Sequence, residues 1–259
     1  MARVLITGSS QGLGLLAGKL LARQGHQVVL HARNAERAAD TRAALPAAAD
    51  VLVGDLSSLA GMEAVAEQAN ASGRFDAVIH NAGVGDRERR RTTADGINQL
   101  FAINVVAPYL LTALITPPER LVYLSSGVHH RGSVDLSDPQ WKNRLWWRGH
   151  QAYADSKLFD VLLAFGVARL WPGVRSNALE PGWVPTRMGG EGAPDDMSKG
   201  YVTQAWLATS DDPAADVTGE YFFHQRAQAP APITRDVEVQ EELLDYCAGL
   251  TRTPLPIVV

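Results

Sequence analysis

Tyr153 and Lys157 stand four residues apart in the stretch His150-Gln151-Ala152-Tyr153-Ala154-Asp155-Ser156-Lys157. Apolar residues continue through Leu158, Phe159, Val161, Leu162, Leu163 and Phe165, so the stretch reads as the opening of a helix. Side chains four apart share a helix face, one turn above the other. A free phenol has a pKa near ~10, and an ammonium within a few ångströms favours its anion and lowers that value. A phenol so tuned exchanges a proton near neutral pH. The chain has six tyrosines and four lysines. Random placement gives a Tyr-x-x-x-Lys match roughly one time in ten, so the surroundings must decide between a site and two surface residues.

Length and composition bound what those surroundings are. A chain of 259 residues, 46% hydrophobic, is ordinary globular material. A net charge of -4 and a pI of 6.0 argue against nucleic acid as a partner. The lone Cys247 permits no internal disulfide and fits a reducing compartment, so a cytoplasmic protein is expected. No apolar run reaches the ~18 residues of a membrane span, and the apolar start Val4-Leu5-Ile6 is too short for a signal peptide. Twenty arginines against four lysines fit a GC-rich bacterial genome.

The elements that must position the pair follow in a regular rhythm. Strands are expected at Val4–Thr7, Gln27–His31, Asp50–Val53, Phe75–His80, Arg120–Ser125, Gly173–Leu179 and Gly219–Phe223. Helical patterns lie between them at 12–23, 35–44, 59–71, 95–114, 151–170 and 198–208, with a last helix over 237–248. Val-, Ile- and Leu-rich strands alternating with helices predict a parallel sheet covered on both faces. The reading is a single doubly wound α/β domain over 1–259, with a Gly-rich lid around 183–200 and an enlarged loop at 127–150.

The first strand ends in Thr7-Gly8-Ser9-Ser10-Gln11-Gly12-Leu13-Gly14, which opens the first helix. Glycines let the backbone turn tightly and approach a ligand, and a helix N-terminus offers free N–H groups to a pyrophosphate. The spacing is Gly-x3-Gly-x-Gly, not the Gly-x-Gly-x2-Gly of the general dinucleotide fingerprint. The second strand ends His31-Ala32-Arg33 with no carboxylate before Glu36. A carboxylate there would bind a ribose 2′-hydroxyl, whereas arginine accommodates a 2′-phosphate, so NADP(H) is preferred over NAD(H), with Arg33 on the phosphate. Asp55, followed by Leu56, is placed to accept from an adenine amino group or to cap a turn.

The glycine turn, Asp55, Asn81-Ala82-Gly83, Asn104, Ser125-Ser126, Tyr153-x3-Lys157 and Pro181-Gly182-Trp183-Val184-Pro185-Thr186 occur in this order. Together they resemble the short-chain dehydrogenase/reductase family, over residues 2 to about 225. The resemblance implies a Rossmann domain with seven parallel strands that oxidises alcohols or reduces carbonyls with NAD(P). It makes Tyr153 the acid/base, Lys157 the ribose-binding residue that lowers the tyrosine pKa, and Ser126 the donor to the substrate oxygen. It also implies a relay water on Asn104 and a cofactor floor of Asn81, Ala82 and Gly83. Pro181, Gly182, Val184 and Thr186 would lie beside the nicotinamide.

The 26 residues between Ser126 and Tyr153 exceed what many family members carry and resemble the retinol-dehydrogenase-like branch. This segment holds His129-His130, Trp141, Trp146 and Trp147, which either line an apolar substrate cleft or pack the loop onto the body. The histidine pair lacks partners at metal spacing, and no metal is expected. Arg87, Arg89, Arg90 and Arg91 are placed to draw an anionic substrate, to cover cofactor phosphates or to be a solvated loop. The resemblance implies a homodimer or homotetramer. The leading reading is therefore NADPH-dependent reduction of a hydrophobic ketone or aldehyde, or the reverse oxidation. A catalytically silent dinucleotide-binding sensor or scaffold is the rival, and it would have no need of the Tyr–Lys pair. A sugar-nucleotide epimerase is disfavoured by the glycine spacing and the short stretch after Pro181.

Overall fold

Seven parallel strands and one antiparallel edge strand form a single sheet in the computed structural model, which describes residues 1–87 and 89–258. The strands are β1 Arg3–Ile6, β2 Gln27–Ala32, β3 Asp50–Val53, β4 Ala77–His80, β5 Arg120–Leu124, β6 Arg175–Glu180, β7 Tyr221–Phe223 and β8 Arg226–Gln228, in the spatial order β3-β2-β1-β4-β5-β6-β7-β8. The central strands β1 and β4 bury every residue from Val4 to Ile6 and from Ala77 to His80, as a sheet packed on both faces requires. One face carries α3 Leu59–Ala71, α5 Ala107–Leu114, α6 Gly149–Leu170 and α9 Val237–Thr251. The other carries α1 Gly12–Arg23, α2 Ala35–Ala44 and α8 Val202–Thr209.

Strand order reverses between β1 and β4, and the crevice there is where open α/β sheets take ligands. The first turns of the surrounding helices are set locally. Asn34 accepts from Arg37 N at 2.9 Å to cap α2, and Ser58 accepts from Gly61 N at 3.1 Å to cap α3. The long α6 packs against α9 through Gly166, where an added Cβ would come 3.0 Å from Leu244 Cδ1.

Three features depart from the sequence reading. The expected seven-stranded sheet gains β8, reached through His224 and Gln225, both at positive φ (47° and 61°). This two-residue reversal is built without the glycine or asparagine that normally announces one. The helix expected from residue 95 begins instead with α4 at Gln99–Phe101, because Gly96 (φ 73°) closes a turn bridged by Thr92 and Asn98. Between α4 and α5 the chain makes a π-helical turn over Ala102–Val106, in which Ala107 N–H reaches back to Ala102 O. Such turns often mark functional positions, and Asn104 sits inside this one. The expected helix over 198–208 is likewise divided, into α7 Met197–Gly200 and α8, at Tyr201.

Candidate active site

The glycine turn is braced by side chains from the strands on either side. Thr7 Oγ1 accepts from Asn81 N at 3.1 Å and Ala82 N at 3.0 Å, and Asn81 Nδ2 donates to the carbonyls of Thr7 and Gly8 at 2.9 and 3.1 Å. Gly8 N donates to His31 Nδ1 at 2.9 Å, which fixes the proton on Nε2, 2.8 Å from Gly54 O. His31 was not singled out from the sequence, because its partners lie more than twenty residues away. Burial lowers its pKa and keeps the ring neutral, as a ring nitrogen that accepts a hydrogen bond must be.

This turn fits the pyrophosphate of a dinucleotide. Gly8 has φ 60° and lies so close to β4 that a Cβ would come 2.6 Å from Ala82 Cα. At the start of α1, Gln11 gives no side-chain cap, and Gln11 and Gly12 are exposed. The first N–H groups of α1 thus have no side-chain acceptor and point where an anion binds. Ser10 and Leu13 flank them, half-buried. Leu13 Cδ2, Val184 Cγ1 and the Pro181 carbonyl all converge on Gly200, within 3.3 Å of the place a Cβ would occupy. Arg33 and Asp55 lie exposed beyond β2 and β3, at the distal end of the crevice. Asp55 Oδ1 already accepts from Ser57 N at 2.9 Å, so this side chain caps its own turn, and Leu56 is buried in the core.

At the other end, the two serines after β5 separate cleanly. Ser125 Oγ donates to Lys157 O at 2.7 Å and is buried, whereas Ser126 is half-buried and stands on the Tyr153 side, where it works to lower the phenol pKa. Lys157 Nζ lies 5.7 Å from the Tyr153 ring centroid. It donates to Leu124 O at 2.9 Å and to Asp160 Oδ2 at 2.8 Å. Asn104 Oδ1 accepts from Val84 N at 2.8 Å, and its Nδ2 donates to Val84 O and to Ser156 Oγ, each at 3.0 Å. The Asn104 side chain is thereby occupied by protein partners, so a relay water would need another acceptor in the π-helical turn. Gly83 keeps the space beside it open, since a Cβ there would come 3.7 Å from Lys157 Nζ.

The electrostatics reverse one expectation. Tyr153 is held above the ordinary phenol range, because burial outweighs the lowering by Lys157 and Asp160 adds to the rise. Asp160, which the sequence reading passed over, is itself raised to about 6 by burial against the pull of Lys157. Burial works to lower Lys157, but the Asp160 and Tyr153 charges overcome it and the ammonium is stabilised.

His129 explains part of the enlarged loop. It lies in a 3-10 turn, Gly127–Arg131, and is fully buried. Its Nε2 accepts from Ala231 N at 3.1 Å, so Nδ1–H donates to Ser126 O at 2.8 Å. The ring is a strut between the serine backbone and the segment after β8, and burial pushes its pKa down to about 4. Of the tryptophans, Trp141 is buried with Nε1 on Asp155 Oδ2 at 2.9 Å, Trp147 meets it edge-on at 6.0 Å, and Trp146 is 78% exposed. The loop is therefore packed onto α6 by Trp141. Arg90 ties it down by donating to the carbonyls of Lys142 and Arg144. Arg87, Arg89 and Arg91 are exposed, and Arg87 lies 3.5 Å from the space a Gly190 Cβ would take.

Residues 183–200 fold over the phenol. Met188 Sδ is 3.9 Å from the Tyr153 hydroxyl and its Cγ would clash with a Cβ at Gly85, at 2.8 Å. Asp195 Oδ2 accepts from Trp183 N at 2.6 Å beside Gly182 (φ 85°), and Thr186 Oγ1 accepts from Gly189 N at 3.1 Å. No helix among the described residues is long and apolar enough to cross a membrane.

The sequence model of the family described as short chain dehydrogenase matches residues 2–134. Short-chain dehydrogenase chry4 of Gibberella zeae is 40% identical over 259 residues, covering 99% of each chain. Retinol dehydrogenase 13 of Homo sapiens is 31% identical, over 98% of this chain and 86% of that one. The crystal structure of a Mycobacterium Paratuberculosis protein superposes with a TM-score of 0.83 at 25% identity, over 99% of this chain and 95% of its own. The first of these relatives is fungal, so the bacterial source expected from composition gains no support from it.

Proposed function

Because the chain belongs to the short-chain dehydrogenase/reductase family of NAD(P)-dependent oxidoreductases, we propose that it uses NADPH to reduce the carbonyl of a hydrophobic small molecule, with Tyr153 as the proton donor. The observation that carries this reading is the Tyr153 phenol, with Lys157 Nζ 5.7 Å from its ring and Ser126 near enough to act on its pKa. A nicotinamide bound in the crevice supplies the hydride. As negative charge grows on the substrate oxygen, the Ser126 hydroxyl and the Tyr153 phenol stabilise it, and the phenol transfers its proton. Two of the three Lys157 N–H donors are already held by Leu124 and Asp160, so the third is left for the cofactor ribose, and the phenolate recovers its proton from solvent.

The apolar character of the substrate rests on Met188, whose sulfur reaches the Tyr153 hydroxyl, and on Trp183 of the same segment, both exposed. The human relative's name, a retinol dehydrogenase, points the same way. NADP(H) rather than NAD(H) is favoured by Arg33 standing where a carboxylate would select a ribose 2′-hydroxyl. A silent sensor would have no use for a phenol and an ammonium held together beside Ser126, and nothing in the site favours that reading.

The test is oxidation of NADPH by the purified protein with a panel of apolar ketones and aldehydes, repeated with Tyr153→Phe. The variant is expected to lose about 10²–10⁴-fold in turnover while NADPH affinity stays near wild type. Turnover that survives in the Phe variant, or a wild type that consumes no NADPH with any carbonyl, would sink the proposal.

A further inference from the structure

Lys157 and Asp160 form a buried ion pair three residues apart on α6, and the reaction as written above uses only one of them. Nζ and Oδ2 are 2.8 Å apart and the two side chains are 6% and 4% exposed. A second acceptor, Leu124 O at 2.9 Å, holds Nζ from β5. With two donors fixed, the position of Nζ is set before any ligand arrives, 3.7 Å from where a Gly83 Cβ would stand.

The electrostatic consequence is larger than the positional one. A lone ammonium acts on the nearby phenol as a full positive charge and favours the phenolate. An ammonium in contact with a carboxylate acts as a dipole, whose influence falls off faster with distance. The other titratable groups around the pair do not replace the lost charge. Tyr123 of β5 is a buried phenol hydrogen-bonded to Thr112 at 2.8 Å, and Thr112 Oγ1 lies 3.0 Å from His80 Nε2 of β4. Burial pushes His80 down to about 3, so it is neutral. Tyr153 is further opposed by Asp86 from the loop after β4, and Tyr221 of β7 is a neutral phenol whose burial raises its pKa.

Resting on the function proposed above, we infer that Asp160 is a positioning residue for Lys157. It fixes the ammonium and offsets its charge, so that Tyr153 waits as a proton donor for carbonyl reduction rather than as a base for alcohol oxidation. The equilibrium of the overall reaction is untouched. What Asp160 sets is the pH range in which each direction runs.

Asp160→Asn keeps the shape and a hydrogen-bonding group while removing the charge. In the reductive direction, the alkaline limb of kcat/KM is expected to move down by about one pH unit, with oxidation gaining rate at neutral pH. An alkaline limb that stays at the wild-type position in a folded, NADPH-binding variant overturns the inference. A second measurement needs neither the variant nor a substrate. Titration of the tyrosinate ultraviolet band in wild type, with Tyr153→Phe as the reference, should give Tyr153 a pKa at or above the ~10 of free tyrosine. A value below about 8, the result of an unopposed ammonium, refutes it. A high phenol pKa in a protein that reduces no carbonyl would instead count against the proposed function alone.

Discussion

Lys157→Met removes one member of a buried ion pair and leaves the other. The pair is short, 2.8 Å, and both side chains are nearly inaccessible. Breaking such a pair from one side costs about 3–5 kcal/mol, because the remaining charge is buried without a partner. Asp160 escapes part of that penalty by taking a proton. In wild type its carboxyl is already raised to about 6 by burial, with Lys157 holding it down, so in the variant it rises further. A carboxyl whose folded pKa lies above its unfolded value contributes stability at low pH and loses it as pH rises through the folded value. Below about pH 6 wild type and variant lose stability alike, so the deficit of Lys157→Met relative to wild type is flat there. Above that value wild-type Asp160 is already ionised, and the deficit grows by about 1.4 kcal/mol per pH unit until the orphaned carboxyl ionises. In a chain of this size that is a fall of about 3–5 °C in Tm per unit, readable from thermal melts between pH 5 and 8. The double variant Lys157→Met/Asp160→Leu replaces the pair by apolar groups and should recover most of the stability. It should not recover turnover, since the ammonium is still missing. A deficit that is flat with pH, or a double variant no more stable than the single, would refute the assignment of a buried charge at Asp160.

Arg33→Ser should weaken NADPH binding by about tenfold while leaving NADH binding unchanged, as measured by titration of nicotinamide fluorescence; equal losses for both cofactors would remove the 2′-phosphate from Arg33. Gly8→Ala places a methyl 2.6 Å from Ala82 Cα at a φ of 60°, so Tm and NADPH affinity should fall together by more than the ~1 kcal/mol of an ordinary glycine replacement. His129→Phe keeps the ring but removes the bonds to Ser126 O and Ala231 N; kcat should fall more than KM rises, because the serine backbone loses its strut. The same variant tests acid stability. His129 is depressed to about 4 when folded, so its contribution is complete above ~6.5 and is lost as pH falls from there toward 4, and the Phe variant should show a shallower decline of Tm over that window.

Much of the architecture was legible because it rests on local patterns. Buried runs such as Val4-Leu5-Ile6 and Val28-Val29-Leu30 and the stops at Gly8, Gly54 and Gly83 mark strands and turns within a few residues of sequence. The edge strand β8 was not, because His224 and Gln225 take positive φ without a residue type that advertises it. Within the site, residue types and order brought Ser126, Tyr153, Lys157 and Asn104 onto the list, and the structure places all four around one end of the crevice. Asp160 was overlooked although its spacing from Lys157 was in plain view, because an Asp three residues after a Lys on a helix is ordinarily a solvated pair worth little. Only burial by β5 and the helices above it makes it matter. The sign of the Tyr153 shift failed for the same reason. Spacing reveals a neighbouring charge, but desolvation and a counter-charge depend on everything packed around it.

His31 and His129 show why the two ends of the site are stiff while its cover is free to vary. Each imidazole is neutral, accepts from one backbone N–H, donates to one carbonyl and so ties segments more than twenty residues apart. One pins the glycine turn to β2 and β3; the other pins the Ser126 backbone to the chain after β8. Together with Thr7, Asn81 and Ser125, they hold the glycine turn and the residues around Ser126 by bonds that run between separate elements of the fold. Residues 183–200 are held differently. Asp195, Thr186 and the Trp183 indole bond within the segment itself, and Met188 reaches the phenol through a 3.9 Å sulfur contact. On the proposed function, substitutions in that segment should change the shape offered to the substrate and leave the Tyr153–Lys157 geometry in place. Specificity in this enzyme should accordingly follow Trp183 and Met188, and the chemistry should follow Tyr153, Lys157 and the carboxylate behind them.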